Sequence, residues 1–188
     1  MHGLVNRAIE EFARVTYGEA LWTSAAQAAG ADPRGFAMMR NYDTPLTGRL
    51  MRELARRLGR SPRDLAEDVG AWVVRLGSIR RLMRFAGTDF SAFLMALPEL
   101  EGRALMVVPG FELPRLSVAI KGERWVVTSD CEPIWLHAIA GMLHAMADDY
   151  GVLALIEVED GCVAITVPVE DFAAGRPFSI SDPTVGAT

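Results

Sequence analysis

The stretch from Arg115 to Gly151 most constrains what this chain can fold into, because it joins two short strands to a long apolar helix. Leu116, Val118 and Ile120 alternate with small or polar residues, the pattern of a strand that buries one face. A Lys-Gly-Glu turn follows, then a second strand, and then a proline at a position that helix starts favour. This order predicts an antiparallel hairpin followed by a core helix.

The residues before this stretch predict helices, and the residues after it predict two more strands. Apolar side chains recur at helical spacing from Gly3 onwards, and Gly30 and Gly59 end two of these segments. An Asp-Gly dipeptide joins the strands predicted at 153–159 and 162–169. Helices followed by the order β-β-α-β-β indicate an α+β domain.

The size and charge of the chain restrict its class. It has 188 residues, 51% of them hydrophobic, which is typical of a single domain. A net charge of −5 argues against a nucleic-acid partner, and no apolar run reaches the ~20 residues of a membrane span. The N-terminus lacks a signal-peptide pattern, so we expect a cytoplasmic protein with no membrane partner. Cys131 and Cys162 lack metal-ligand spacing, and the sequence leaves a disulfide between them open.

Several short motifs follow one another along the chain. They include Tyr17-Gly18-Glu19, Gly70-x-Trp72, Phe85-Ala86-Gly87, Phe93-Leu94-Met95 and Gly141-Met142-Leu143. In this order and spacing they resemble the haem–nitric-oxide/oxygen-binding (H-NOX) family. The resemblance covers about residues 1–170 and implies one domain, with a helical subdomain to about residue 60 and helices plus sheet over about 61–170. It implies a four-stranded antiparallel sheet crossed by a long helix, and residues 171–188 as a C-terminal extension.

The same resemblance implies a haem pocket, with gas binding relayed to a signalling protein such as a kinase or cyclase. The family holds the iron through the histidine of a Leu-Asp-x-x-His pattern, and Glu101 occupies that position here. It holds the haem propionates through Tyr-x-Ser-x-Arg, and the matching positions here are Thr128, Asp130 and Glu132. The iron-ligand position and all three propionate-binding positions are therefore substituted.

These substitutions predict that haem is not bound in the family's manner, and that the chain has no cofactor. Replacing arginine by Glu132 turns attraction for a propionate into repulsion, with each term worth ~1–4 kcal/mol at ~4 Å. Asp130 adds a second negative charge. The alternative is a haem-dependent nitric oxide or oxygen sensor with a substitute axial ligand. His137 and His144 could supply one, although helical periodicity places both on the polar edge of their helix.

Five apolar residues occupy positions where the family lines the gas-binding side of its pocket. They either pack together as ordinary core or surround a residual cavity for a small apolar ligand. They are Val5, Ile9, Val73, Ala138 and Met142.

Two further groups of residues bear on function. Arg80, Arg81 and Arg84 form a basic run, which is either a solvated face or a docking surface for an acidic partner. The Asp130–Glu132 turn contains a thiol and two carboxylates, but no histidine stands near it in sequence to complete a catalytic group. We therefore expect no enzyme, and instead a sensory or protein-interaction module of bacterial-type signalling.

Overall fold

The protein is described by a computed structural model that covers residues 1–107 and 113–168. Helices come first in the chain, and the sheet follows. A short 3-10 helix at Leu97–Glu99 separates two of the helices, since Pro98 cannot donate a helical hydrogen bond. The helices are α1 Gly3–Tyr17, α2 Glu19–Ala29, α3 Thr44–Leu58, α4 Pro62–Arg75, α5 Gly77–Arg84, α6 Phe90–Ala96, α7 Leu100–Val107 and α8 Pro133–Tyr150.

Four strands form one antiparallel sheet in the order β1-β2-β4-β3, and α8 connects its two hairpins. The predicted α+β fold is therefore confirmed. The last two strands are shorter than predicted, and the predicted extension at 171–188 lies outside the described residues. Ile120 also differs from the prediction, because it is 59% exposed near the end of an edge strand. The strands are β1 Leu116–Lys121, β2 Arg124–Ser129, β3 Leu155–Glu159 and β4 Cys162–Thr166.

Two hydrophobic clusters lie on either side of α8. One is built mainly from α1 to α4 and includes Trp22 and Leu50, both fully buried. The other joins α6, α8 and the sheet, and it includes Phe93, Leu143 and Val163. Because α8 contributes to both clusters, it ties the helical part of the molecule to the sheet. The predicted division near residue 60 is not tested by this packing and stays a prediction.

The crossing of α4 and α8 brings two backbones into direct contact. A Cβ atom added to Gly70 would lie 1.9 Å from the carbonyl oxygen of Ala138. One added to Gly141 would lie 1.9 Å from the carbonyl oxygen of Glu67. Only glycine fits at either position, so each helix fixes the position of the other. The middle of α8 is thereby held against α4.

Two features are absent from the part of the chain that the structure describes, a membrane-spanning helix and a metal-binding cluster. No helix within 1–107 or 113–168 is long and apolar enough to cross a membrane. The same residues contain no group of three or more His, Cys, Asp or Glu side chains that could hold a metal ion.

Candidate functional site

Glu101 lies in the first turn of α7, directly after the 3-10 helix that packs beside β1. Leu100 and Ala104 are buried and fix the orientation of the helix. The Glu101 side chain is 30% exposed, and its Oε2 atom lies 3.7 Å from Nε of Arg115. The residue at the family's iron-ligand position is thus a half-buried carboxylate beside a guanidinium.

The acidic turn between β2 and α8 lies at the same edge of the sheet. Asp130 accepts a hydrogen bond at 3.0 Å from the backbone N–H of Arg115, and Leu116 pairs with Ser129 in the strand register. Thr128, Asp130 and Glu132 are all exposed. The fold therefore brings the family's ligand position and its propionate-binding positions to one place.

Arg115 is a cation at this edge that the charge argument from sequence left out. Its side chain is 80% exposed and approaches the carboxylate of Glu101, whereas Asp130 is bonded to its backbone N–H. A signal was present in the sequence, because an antiparallel hairpin places the residue before its first strand opposite the residue after its second. The site therefore contains a guanidinium group, that of Arg115, in addition to the carboxylates found by comparing the motifs.

The five apolar candidates lie on three neighbouring helices, α1, α4 and α8. Ile9 is fully buried, and the other four are half-buried. The structure brings four of the five into the cluster formed by the N-terminal helices, whereas Met142 packs with the sheet-side cluster. Their role in lining a pocket stays a prediction.

Two of the histidines have contacts away from the Glu101 site. His144 Nε2 lies 3.7 Å from Glu67 Oε1 on α4. His2 accepts a hydrogen bond at 3.2 Å from the backbone N–H of Leu4, at the start of α1. His137 is half-buried on α8.

The structure contains no disulfide between Cys131 and Cys162, a pairing that the sequence left open. Cys131 and Cys162 are both free thiols, and each is partly buried. The backbone N–H of Cys131 donates to the hydroxyl of Ser129 at 3.3 Å, which closes the acidic turn.

Comparison with known proteins identifies the family. The sequence profile described as Haem-NO-binding matches residues 2–128, more than half of the chain. The chain belongs to the haem-NO-binding family. The resemblance seen in the sequence is thus confirmed, and the family is one of haem-based sensors of nitric oxide and oxygen. No curated protein matches the chain in sequence.

Solved H-NOX structures share the fold. A Cs H-NOX mutant carrying 4-cyano-L-phenylalanine is 18% identical, with a TM-score of 0.73, over 90% of this chain and 97% of its own. An oxygen-binding H-NOX domain related to soluble guanylate cyclases is 17% identical, with a TM-score of 0.69, over 90% and 96%. The S. oneidensis H-NOX protein in its Fe(II)NO state is 15% identical, with a TM-score of 0.73, over 88% and 97%. At these identities the likeness concerns the fold.

The prediction of no cofactor is wrong, because the chain belongs to a family described by its haem and nitric-oxide binding. The physical reason lies in what the charge argument counted. It summed repulsion at Asp130 and Glu132 but left out the guanidinium of Arg115 at the same edge. It also gave no weight to haem's apolar surface, whose burial is favourable independently of the motifs.

The donor groups present here fit haem in part. A carboxylate such as Glu101 is an oxygen ligand that can bind ferric iron, and its partial burial keeps it off the open surface. Arg115 can form charge-assisted hydrogen bonds with a propionate. Asp130 and Glu132 oppose a propionate by repulsion. The available groups thus fit haem through Glu101 and Arg115, and not through the family's usual residues.

Proposed function

We propose that this domain is a haem-dependent sensory module in which haem is held through substituted residues. Glu101 would bind the iron and Arg115 would pair with a propionate. When bound, haem supplies an iron centre at which a gas can bind. The observation that carries the proposal is that the Glu101 carboxylate and the Arg115 guanidinium meet at the start of β1, 3.7 Å apart, at the edge of the sheet where Asp130 accepts from the Arg115 backbone N–H at 3.0 Å.

The apolar candidates support a small apolar ligand, the class to which nitric oxide and oxygen belong. Val5, Ile9, Val73 and Ala138 contain no polar side-chain atom, so they cannot hydrogen-bond a gas bound beside them. We propose that they exclude water from the gas-binding side, as a shell of apolar side chains does around other metal centres.

We further propose that the domain is a regulator rather than an enzyme. H-NOX domains commonly act with signalling partners. A kinase or cyclase, in the same chain or separate, is the partner class that the family favours for this one.

The test is haem binding by the full chain expressed with a haem precursor. The purified protein should show a Soret band, and the band should shift when nitric oxide is added. Glu101→Gln and Arg115→Gln should each weaken haem binding in a titration by about tenfold, since the first would remove the carboxylate ligand of the iron and the second a charge-assisted contact with a propionate.

Matched controls lie on the same segment of chain. Glu99 and Arg103 form an exposed ion pair beside Glu101, with 2.6 Å between Oε2 and Nη2. Glu99→Gln and Arg103→Gln should leave haem affinity unchanged. A colourless wild-type protein would refute haem-dependent sensing. Haem bound equally well by wild type, Glu101→Gln and Arg115→Gln would refute the assigned residues.

A further inference from the structure

The arginines of α5 lie at the opposite end of α8 from the Glu101 site. An open cavity of about 360 Å³ separates α5 from that end of α8. It is lined by Gly77, Arg80, Arg81, Arg84 and Asp149. The basic run that the sequence singles out is thus a concave surface, and the proposed haem function makes no use of it.

A single carboxylate holds two of these arginines in place. Asp149 is only 11% exposed, and its Oδ1 atom forms an ion pair with Arg80. Its Oδ2 atom lies 3.8 Å from Nε of Arg84, and Arg84 also donates to the Asp149 carbonyl oxygen at 3.3 Å. These contacts position two guanidinium groups before any ligand arrives, so less side-chain entropy is lost on binding.

Tyr150 restricts Arg84 further. The Arg84 guanidinium carbon lies 4.0 Å from the centre of the Tyr150 ring, a cation–π contact. The Tyr150 hydroxyl donates to the carbonyl oxygen of Gly87 at 2.9 Å. Burial raises the pKa of this phenol above its usual value, so the ring is neutral at physiological pH.

Arg81 and Phe85 are not explained by these internal contacts. The Arg81 side chain has no ion pair or hydrogen bond among residues 1–107 and 113–168, and it is exposed. Phe85 is 84% exposed and follows Arg81 by four residues, which places both on one side of the helical turn. A free cation therefore lies beside an exposed aromatic ring.

We propose that Arg80, Arg81, Arg84 and Phe85, the α5 surface, dock an acidic segment of a partner protein that also carries an apolar side chain. Three guanidinium groups face one carboxylate, so the surface is locally positive although the chain has a net charge of −5. Guanidinium groups bind carboxylates through paired hydrogen bonds, and an exposed aromatic ring binds an apolar side chain. The net negative charge of the chain disfavours an anionic membrane as the partner, because the rest of the surface would be repelled.

The α5 surface does not depend on haem for its charge or its shape. Failure of haem binding would leave this proposal intact, and failure of docking would leave the haem proposal intact. The two are tested by separate measurements on the same protein.

The experiment uses the full chain and a fluorescein-labelled peptide of Glu and Asp residues with one central Leu. Fluorescence anisotropy should show saturable binding that weakens as salt is added. The double variant Arg81→Gln with Phe85→Ala should weaken binding by about tenfold or more, since it removes the free cation and the apolar contact. Both side chains lack internal partners, so this variant should fold.

Arg63→Gln is the matched control, because Arg63 is exposed on α4 and its removal changes the net charge equally. Its affinity for the peptide should stay within about twofold of wild type. A peptide with Gln and Asn in place of the acids should not bind. The proposal is overturned if wild type does not bind the acidic peptide, or if Arg63→Gln weakens binding as much as the double variant. It is also overturned if the chain binds vesicles of phosphatidylcholine and phosphatidylserine but not the peptide.

Discussion

The two ends of α8 differ in how their charges are arranged. Asp130 and Glu132 stand before its first turn, where the helix dipole favours anions. Its last turn carries Asp149, an anion that the dipole disfavours there, and Arg80 and Arg84 of α5 lie against it. An acidic residue before a first turn is thus explained by the helix itself and does not by itself mark a functional site, whereas the acid in the last turn depends on its arginine partners.

Each end of α8 also has side chains from other elements that do not stabilise the helix. At the N-terminal end, Glu101 and Arg115 come from α7 and from the residue before β1. At the C-terminal end, Arg81 and Phe85 project from α5 without internal partners among the described residues. We base the two proposals on these four residues, because helix stability does not require them.

The largest loss of stability is expected at the middle of α8, where it crosses α4 and where both ends of the helix would be affected. Gly141→Ala should destabilise the fold by about 3 kcal/mol or more, because the added Cβ would meet the Glu67 carbonyl oxygen at 1.9 Å and force the helices apart. Thermal unfolding measures this. The control is Gly102→Ala in α7, where an added Cβ has no neighbour within 4 Å among the described residues. The same substitution there should stabilise by about 0.5–1 kcal/mol. Equal changes in stability for the two variants would show that α4 and α8 do not pack as closely at Gly141 as described.

A smaller effect is expected at the C-terminal end of α8. Asp149→Asn should destabilise by about 1–2 kcal/mol, since it removes the nearly buried carboxylate that Arg80 and Arg84 share, although both arginines are partly exposed. Urea denaturation measures the change.

The neighbouring residue supplies the control for that measurement. Asp148 is 78% exposed and lies 3.9 Å from Arg75. Asp148→Asn should change stability by less than about 0.5 kcal/mol. If the two variants are equally stable, Asp149 does not hold Arg80 and Arg84 in place. The α5 surface would then not be preorganised for binding.

Much of the fold was predictable because its signals are local. Ser61 caps α4 by accepting from the N–H of Asp64 at 3.1 Å, and Gly59 and Gly151 end their helices in the left-handed conformation. The two hairpins followed from their turn residues and the alternation, whereas the pairing of β2 with β4 did not. Such features act within a few residues, so a single sequence contains them.

The contacts that were not predictable connect distant segments. Glu10 lies opposite the apolar residues of α1 by helical spacing, yet it is 1% exposed and accepts a hydrogen bond at 2.8 Å from the backbone N–H of Phe36. Glu101 and Arg115 meet only once α7 lies beside the start of β1. The Asp149 contacts of Arg80 likewise depend on how α5 packs on α8. Candidate site residues could be found from motifs, but their partners could not.

The smallest effect on stability is expected at the N-terminal end of α8, where it also separates helix stabilisation from function. Glu132 is the exposed residue just before Pro133. Glu132→Arg places a cation at the positive end of the helix dipole, so we expect a loss of about 0.5 kcal/mol in urea denaturation. Haem affinity should change in the opposite direction, because Glu132 occupies the family's arginine position and the variant replaces repulsion of a propionate by attraction. Glu123→Arg, in the exposed turn between β1 and β2, makes the same charge change away from the helix and should alter neither quantity. If Glu132→Arg weakens haem binding along with stability, then Glu132 acts only as a helix-end residue and haem propionates do not lie near this turn.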